Sequence, residues 1–210
     1  MIRIVLADDH ALVREGLRRI LEEHADLRVV AEAATGDEVL GSVSAFAVDV
    51  LVLDITMPGP GVFELLKRLG EDHPSVRTVV LTMHREDQYA VRVLRAGAVG
   101  YLSKARSPEL LVEAIRKAHR GEVFISPSLA DTLAAQVVGR GRRPTHQLLS
   151  DRELDVMVRL AKGQSVKAIA ADLSLSRKTV STYHSRIRGK LHLQSDAELI
   201  RYALEQGLAD

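Results

Sequence analysis

The chain has 210 residues, of which 46% are apolar, 27% charged and 3% aromatic, with no Trp and a formal net charge of +1. The absence of Cys excludes a disulfide scaffold and a thiolate metal centre, and no apolar run approaches the roughly 18 residues that span a bilayer. The opening Met1 to Leu6 is too short and too soon followed by acid for a signal peptide, so a cytoplasmic protein with no membrane partner is expected.

The chain exceeds one small domain and suits one of about 120 residues plus one of about 60. In residues 1–120 apolar runs at Ile2–Ala7, Leu27–Ala33, Val48–Leu53, Val76–Leu81 and Val99–Leu102 read as strands. They lack strict alternation, as parallel strands covered on both faces do. Between them, Val13, Leu17, Ile20 and Leu21 share a helical face. So do Val62, Leu65, Leu66 and Leu69, and later Leu110, Leu111, Ala114, Ile115 and Ala118. Gly36, Pro58-Gly59, Pro74 and Gly97 punctuate the elements. Five β/α units in succession predict a doubly wound parallel sheet.

In such sheets ligands bind beyond the carboxyl ends of the strands, where strand order reverses. Asp8 and Asp9 follow the first strand and Asp54 the third. With strand order 2-1-3-4-5 the three converge, and carboxylates so close call for a cation. An all-oxygen cluster with open positions suits Mg²⁺, which can neutralise an incoming phosphoryl group. Thr82, ending the fourth strand, and Lys104, after the fifth, could donate a hydrogen bond and a positive charge to that group.

With these residues in place, residues 1–120 resemble a receiver domain of two-component signalling: LADDH at 6–10, LDITMP at 53–58, LT at 81–82 and YLSK at 101–104. The resemblance implies that Asp54 accepts phosphate from a sensor histidine kinase. It also implies that Asp9, Asp54 and the main-chain carbonyl of Thr56 hold Mg²⁺, with Asp8 assisting directly or through water. Thr82 and Lys104 would engage the aspartyl phosphate, and Tyr101 would turn inward when Thr82 moves. From its type alone Tyr101 equally reads as a core residue with a hydrated hydroxyl. The family often has Asp-Gly where this chain has Pro60-Gly61, which leaves the shape of that loop open.

After residue 120 the periodicity fades. Ser126-Pro127-Ser128 suits a helix cap, and Gly139-Arg140-Gly141-Arg142-Arg143-Pro144 reads as a flexible linker, so residues 121–147 are taken to connect a domain at 1–120 to one at 148–210. Four helices are expected there, at about 151–162, 165–172, 177–191 and 196–206. The segment Arg177–Lys190 holds five basic residues and no acidic one. On a helical wheel Val180, Ile187 and Leu191 share one face, flanked by Tyr183 and His184. Lys178, Thr182, Ser185, Arg186 and Gly189 lie opposite, bordered by Ser181, Arg188 and Lys190. An apolar face for docking and a cationic, hydroxyl-rich face outward suit a helix in the major groove of double-stranded DNA.

Residues 148–208 resemble the LuxR-type helix-turn-helix of NarL/FixJ-class response regulators, through LLSDRELDVM, GQSVKAIAADLSLSRKTVSTYHSRIRGKL and a closing AELI helix. Many members have Lys in place of Ser181. The resemblance implies DNA contacts from Lys178, Ser181, Thr182, Ser185, Arg186, Arg188 and Lys190. It also makes the last helix, with Leu199, Ile200, Ala203 and Leu204, a dimerisation element; completing the small core is the alternative. The combined expectation is a non-enzymatic transcription regulator, dimeric when phosphorylated. A Mg²⁺-dependent phosphohydrolase with Asp54 as nucleophile leaves residues 148–208 unexplained. A phosphorylation-independent regulator leaves the complete acid, Thr and Lys set unexplained. A histidine kinase is excluded, since no nucleotide-binding glycine loop is present.

Overall fold

In a computed structural model, residues 1–82, 86–104, 108–126, 129–130 and 145–208 are described. The Gly139–Pro144 stretch lies outside them, as do Pro127 and Ser128. The chain forms two compact units, residues 1–130 and 131–210.

The first unit alternates β1 (Ile2–Ala7), α1 (Ala11–Glu22), β2 (Leu27–Ala33), α2 (Gly36–Ala45), β3 (Val50–Leu53), α3 (Val62–Asp72), β4 (Arg77–Thr82), α4 (Glu86–Arg95), β5 (Gly100–Ser103) and α5 (Pro108–His119). All five strands are parallel, in the order β2-β1-β3-β4-β5. The strands β1, β3 and β4 bury Ile4, Leu6, Val50, Val52, Val79 and Leu81, which meet Leu111, Val112 and Ile115 of α5 in one core. Burial of an aliphatic side chain contributes about 1.5–3 kcal/mol, so this interior is what fixes the strand ends in space.

The ladder continues past the strands. The Asp8 amide donates to the Ala33 carbonyl at 3.0 Å, the Asp54 amide to Ala7 at 2.9 Å and the Lys104 amide to Thr82 at 2.7 Å. Residues one step beyond β1, β3 and β5 are therefore held as firmly as strand residues. The Pro60-Gly61 loop is equally defined. The Gly36 amide donates to the Pro58 carbonyl at 2.9 Å, and Gly61 caps α3. A Cβ on Gly36 would stand 3.1 Å from Pro60 Cδ and 3.3 Å from its carbonyl oxygen. A glycine at the start of α2 is what lets this loop pack there.

The second unit comprises a 3₁₀ turn (Thr145–Leu148), α6 (Asp151–Ala161), α7 (Val166–Asp172), α8 (Arg177–Leu191) and α9 (Asp196–Glu205). Each helix begins on a serine: Ser150, Ser165, Ser176 and Ser195 accept the backbone N–H of Glu153, Ala168, Thr179 and Glu198. Such caps contribute about 1 kcal/mol each. Ser174, at φ +52°, turns the chain between α7 and α8. Arg159, on α6, donates to Asp155 at 2.9 Å and to Asp172 of α7 at 3.1 Å, so the first two helices are clamped by an almost buried guanidinium. Among the described residues no helix is long and apolar enough to cross a membrane.

Candidate functional site

Strand order reverses between β1 and β3, and there the acids meet. Asp8 and Asp54 are buried, Asp9 is partly exposed and Thr82 is buried at the end of β4. Lys104 reaches in from β5 with a side chain 9% exposed; its Nζ lies 2.6 Å from Asp8 Oδ2 and 2.8 Å from Asp54 Oδ2. Burial pulls the Lys104 pKa down. The Asp54 charge and hydrogen bond, followed by those of Asp8, outweigh it and hold the ammonium above its ordinary range. Lys104 thus stays charged beside two buried carboxylates.

Neighbouring residues fix the carboxylates. The Thr56 hydroxyl donates to Asp54 Oδ2 at 2.8 Å and the Thr56 amide to Oδ1 at 3.3 Å. The His10 amide donates to Asp8 Oδ1 at 2.8 Å. Arg14 of α1 donates to the Asp8 main-chain carbonyl at 2.6 Å and to Glu32 at 3.0 Å, pinning the turn after β1. Tyr101 on β5 is fully buried, so its ring already lies inside.

Ligand atoms of Asp8, Asp9, His10 and Asp54 all lie within 4.8 Å of one another. Three carboxylates face one ammonium. That donor set fits a hard divalent cation, which takes carboxylate oxygens and keeps waters in its other positions. The residue that sequence reasoning passed over is His10. Its place in LADDH was the available signal.

In the second unit the wheel drawn from sequence holds for burial. Val180, Ile187 and Leu191 are buried, while Lys178, Ser181, Thr182, Ser185, Arg186 and Lys190 are exposed and Arg188 is half-buried. Exposed Arg177, absent from the expected contacts, extends the cationic face by one residue at the start of α8. The side chains are not equally available. Lys178 and Arg186 make no ion pair among the described residues. The Thr182 hydroxyl donates to the Lys178 carbonyl at 2.9 Å. Arg188 donates to the Gln194 carbonyl and lies 3.8 Å from Asp196. Lys190 Nζ is 2.6 Å from Glu153 and 3.3 Å from the Leu148 carbonyl.

The Lys190–Glu153 contact ties α8 to the first turn of α6. Burial raises the Glu153 pKa, but Lys190 and the Ser150 amide and hydroxyl lower it further, leaving it below the usual carboxylate range. The ion pair therefore stabilises the fold above about pH 4.5, the ordinary value, and is lost as pH falls through the lowered one. Glu153→Gln retains a cap-competent amide and removes the charge. Because Lys190 is 41% exposed, solvent screens the pair and the expected loss at pH 7 is under about 1 kcal/mol. Hydrogen exchange of buried α6 amides in variant and wild type should show that difference at pH 7 and lose it in acid, as pH falls through the lowered Glu153 pKa. An undiminished difference in acid would assign the effect to packing.

On α9, Leu199 and Ala203 are buried, whereas Ile200 and Leu204 are exposed. Tyr202 anchors this helix to the 3₁₀ turn by accepting the His146 amide at 3.1 Å. The helix thus both completes the small core and presents an apolar pair outward.

Comparison with known proteins matches residues 4–116 to the response regulator receiver domain and residues 147–203 to the bacterial regulatory proteins of the luxR family. The response regulator UvrY of Escherichia coli O157:H7 is 39% identical over 211 residues, covering 100% of this chain and 97% of that protein. The RcsB response regulator of Salmonella typhimurium, solved in a study of its DNA interaction, superposes with a TM-score of 0.81 at 26% identity, covering 98% of each chain. RcsB bound to promoter rprA in the presence of the phosphomimetic BeF₃⁻ superposes with a TM-score of 0.76 at 28% identity, covering 96% of this chain and 98% of that one.

Proposed function

From the premise that this chain belongs to the response regulators joining a receiver domain to a LuxR-type DNA-binding domain, we propose that it is a two-component transcription regulator switched by phosphorylation of Asp54. The observation that carries this reading is the meeting of Asp8, Asp54 and Lys104 at the β1/β3 switch point, in a chain whose other unit exposes a cationic helix.

The reaction is phosphoryl transfer from a phosphohistidine of the sensor kinase. An Asp54 carboxylate oxygen attacks phosphorus, the O–P bond forms as the P–N bond breaks, and the imidazole nitrogen keeps the electron pair and takes up a proton. Asp8, Asp9, Asp54 and the Thr56 carbonyl would hold Mg²⁺, which when bound supplies charge neutralisation to the phosphoryl oxygens. Lys104 gives up its contact with Asp54 and follows the charge onto the aspartyl phosphate, while the Thr82 hydroxyl donates to a phosphoryl oxygen. Burial of Asp54 keeps bulk water from the new acyl phosphate. Phosphotransfer and the later hydrolysis serve signalling; no further substrate is turned over.

The output is DNA binding by α8. Lys178 and Arg186, without intramolecular ion pairs among the described residues, are the leading phosphate contacts. Ser181, Thr182 and Ser185 stand where base edges pass. Arg188 and Lys190 must release Asp196 and Glu153 to contribute. Residues 121–147 act as the linker between domains 1–120 and 148–210, and exposed Ile200 and Leu204 form the self-complementary patch of the DNA-bound dimer. The regulator works in the cytoplasm, with a sensor histidine kinase and double-stranded DNA as partners.

Binding of the full chain to duplex DNA tests the output half. The observed affinity should fall steeply with salt, and Lys178→Ala should flatten the log–log slope by about one unit while weakening all sequences alike. Ser185→Ala should change sequence preference with the slope intact. An unchanged slope in Lys178→Ala removes that residue from the interface.

A further inference from the structure

We propose that His10 turns the acidic pocket into a mixed nitrogen–oxygen site that takes a borderline transition ion of the Co²⁺ or Zn²⁺ class, in competition with Mg²⁺. The inference rests on the phosphoacceptor reading of the same pocket and adds to it a nitrogen ligand and a second class of cation.

Three observations carry it. First, the imidazole is turned toward the carboxylates: Nδ1 lies 2.7 Å from Asp9 Oδ1 and 3.5 Å from Asp8 Oδ1. Second, its backbone is fixed and its side chain is largely open to solvent. The His10 amide is bound to Asp8, yet the residue caps α1 without a side-chain hydrogen bond and its side chain is 68% exposed. Third, the four ligand atoms already fall within 4.8 Å of one another. Bonds of about 2.1 Å place opposite ligands about 4.2 Å apart, so a contraction of a few tenths of an ångström closes the sphere.

Chemistry then separates the ions. Mg²⁺ takes oxygen ligands, dehydrates reluctantly and gains nothing from an imidazole. Co²⁺ and Zn²⁺ bind imidazole well, and the order of divalent affinities already favours them. The exposed Asp9–His10 pair contributes little by itself, so losing it to coordination costs little. An ion held by His10, Asp9 and Asp54 engages the phosphoacceptor oxygen itself.

Titration of the full chain with CoCl₂ and, separately, with MgCl₂ tests this by calorimetry, with Co²⁺ also read from its visible bands and from paramagnetically shifted imidazole protons. His10→Ala, a change at an exposed position, should lower Co²⁺ affinity by about 10-fold or more. It should remove the shifted imidazole signals and leave Mg²⁺ affinity within about 2-fold, since Mg²⁺ does not use that ligand. Unchanged Co²⁺ affinity, or an equal fall for both ions, overturns the role of His10. Asp54→Asn should weaken both ions. If the wild type binds neither ion, or Asp54→Asn affects neither, the pocket reading itself fails and His10 falls with it.

Discussion

Asp54→Asn should abolish phosphoryl uptake. Incubated with Mg²⁺ and acetyl phosphate, the wild-type chain should gain about 80 Da, one phosphoryl group, and the variant none. The reason is geometric. Asp8 and Asp9 lie in the same pocket, but Asp54 is the carboxylate that receives the Lys104 ammonium at 2.8 Å and the Thr56 hydroxyl at 2.8 Å on a single oxygen. Lys104 would carry positive charge to the phosphoryl group once transfer occurs. Asparagine is nearly isosteric and its amide oxygen is no nucleophile. Asp8 remains to hold Lys104, so no buried ammonium is stranded. The variant should therefore fold, which circular dichroism and an unshifted thermal transition would show. Equal labelling of folded wild type and variant would move the acceptor to another residue.

Much of this arrangement is legible in the sequence because it depends on local rules. The strands β1 and β2 lie at the predicted residues, and β3, β4 and β5 differ by one or two residues at their ends. Thr82, expected to end the fourth strand, is its last residue. Two helices carried too little pattern to be named. In α2 the buried Val39 and Val43 stand on a short helix interrupted by Gly41 and Ser42, and in α4 Tyr89, Ala90, Val91, Val93 and Leu94 crowd together in sequence and mark no single face. Tyr101 could not be assigned from its type; its burial is a property of the whole β4–β5 layer. The outward cationic face of α8 followed from a 3.6-residue period, and the exposed and buried sets agree with it. What periodicity could not supply was the pairing of Lys190 with Glu153, 37 positions earlier. It also could not supply the turn that brings Arg188 onto Gln194 and Asp196. Those contacts depend on tertiary packing of α6, α8 and α9. His10 was missed for a related reason. The motif gives the carboxylates their role by strand position, whereas the imidazole lies beside them through its contact with Asp9.

Phosphorylation should raise affinity for a paired DNA site by promoting dimers, and this is the second large effect expected. The aspartyl phosphate can act only through a state that it favours over another. The groups able to sense it are Thr82 at the end of β4 and Tyr101 on the adjoining β5, whose displacement would alter the surface of the last receiver helices. Two DNA-binding units held in one dimer meet half-sites about one helical turn apart, and the second contact becomes effectively intramolecular. A coupling of about 1–3 kcal/mol corresponds to a gain of about 5- to 150-fold. A single half-site should gain little. Ile200→Glu or Leu204→Glu, each charging the exposed face of α9, should reduce the gain on paired sites while leaving half-site binding in place.

The central claim is that the pocket at β1 and β3 controls the helix that reads DNA. The most direct measurement is sedimentation of the phosphorylated and unmodified full chain, run beside binding of each form to a paired site and to one half-site. Dimerisation on phosphorylation, with increased affinity confined largely to the paired site, is the predicted result. A phosphorylated chain that stays monomeric and binds the paired site no more tightly than the unmodified chain would contradict it, and would leave a DNA-binding regulator whose receiver does not govern its output.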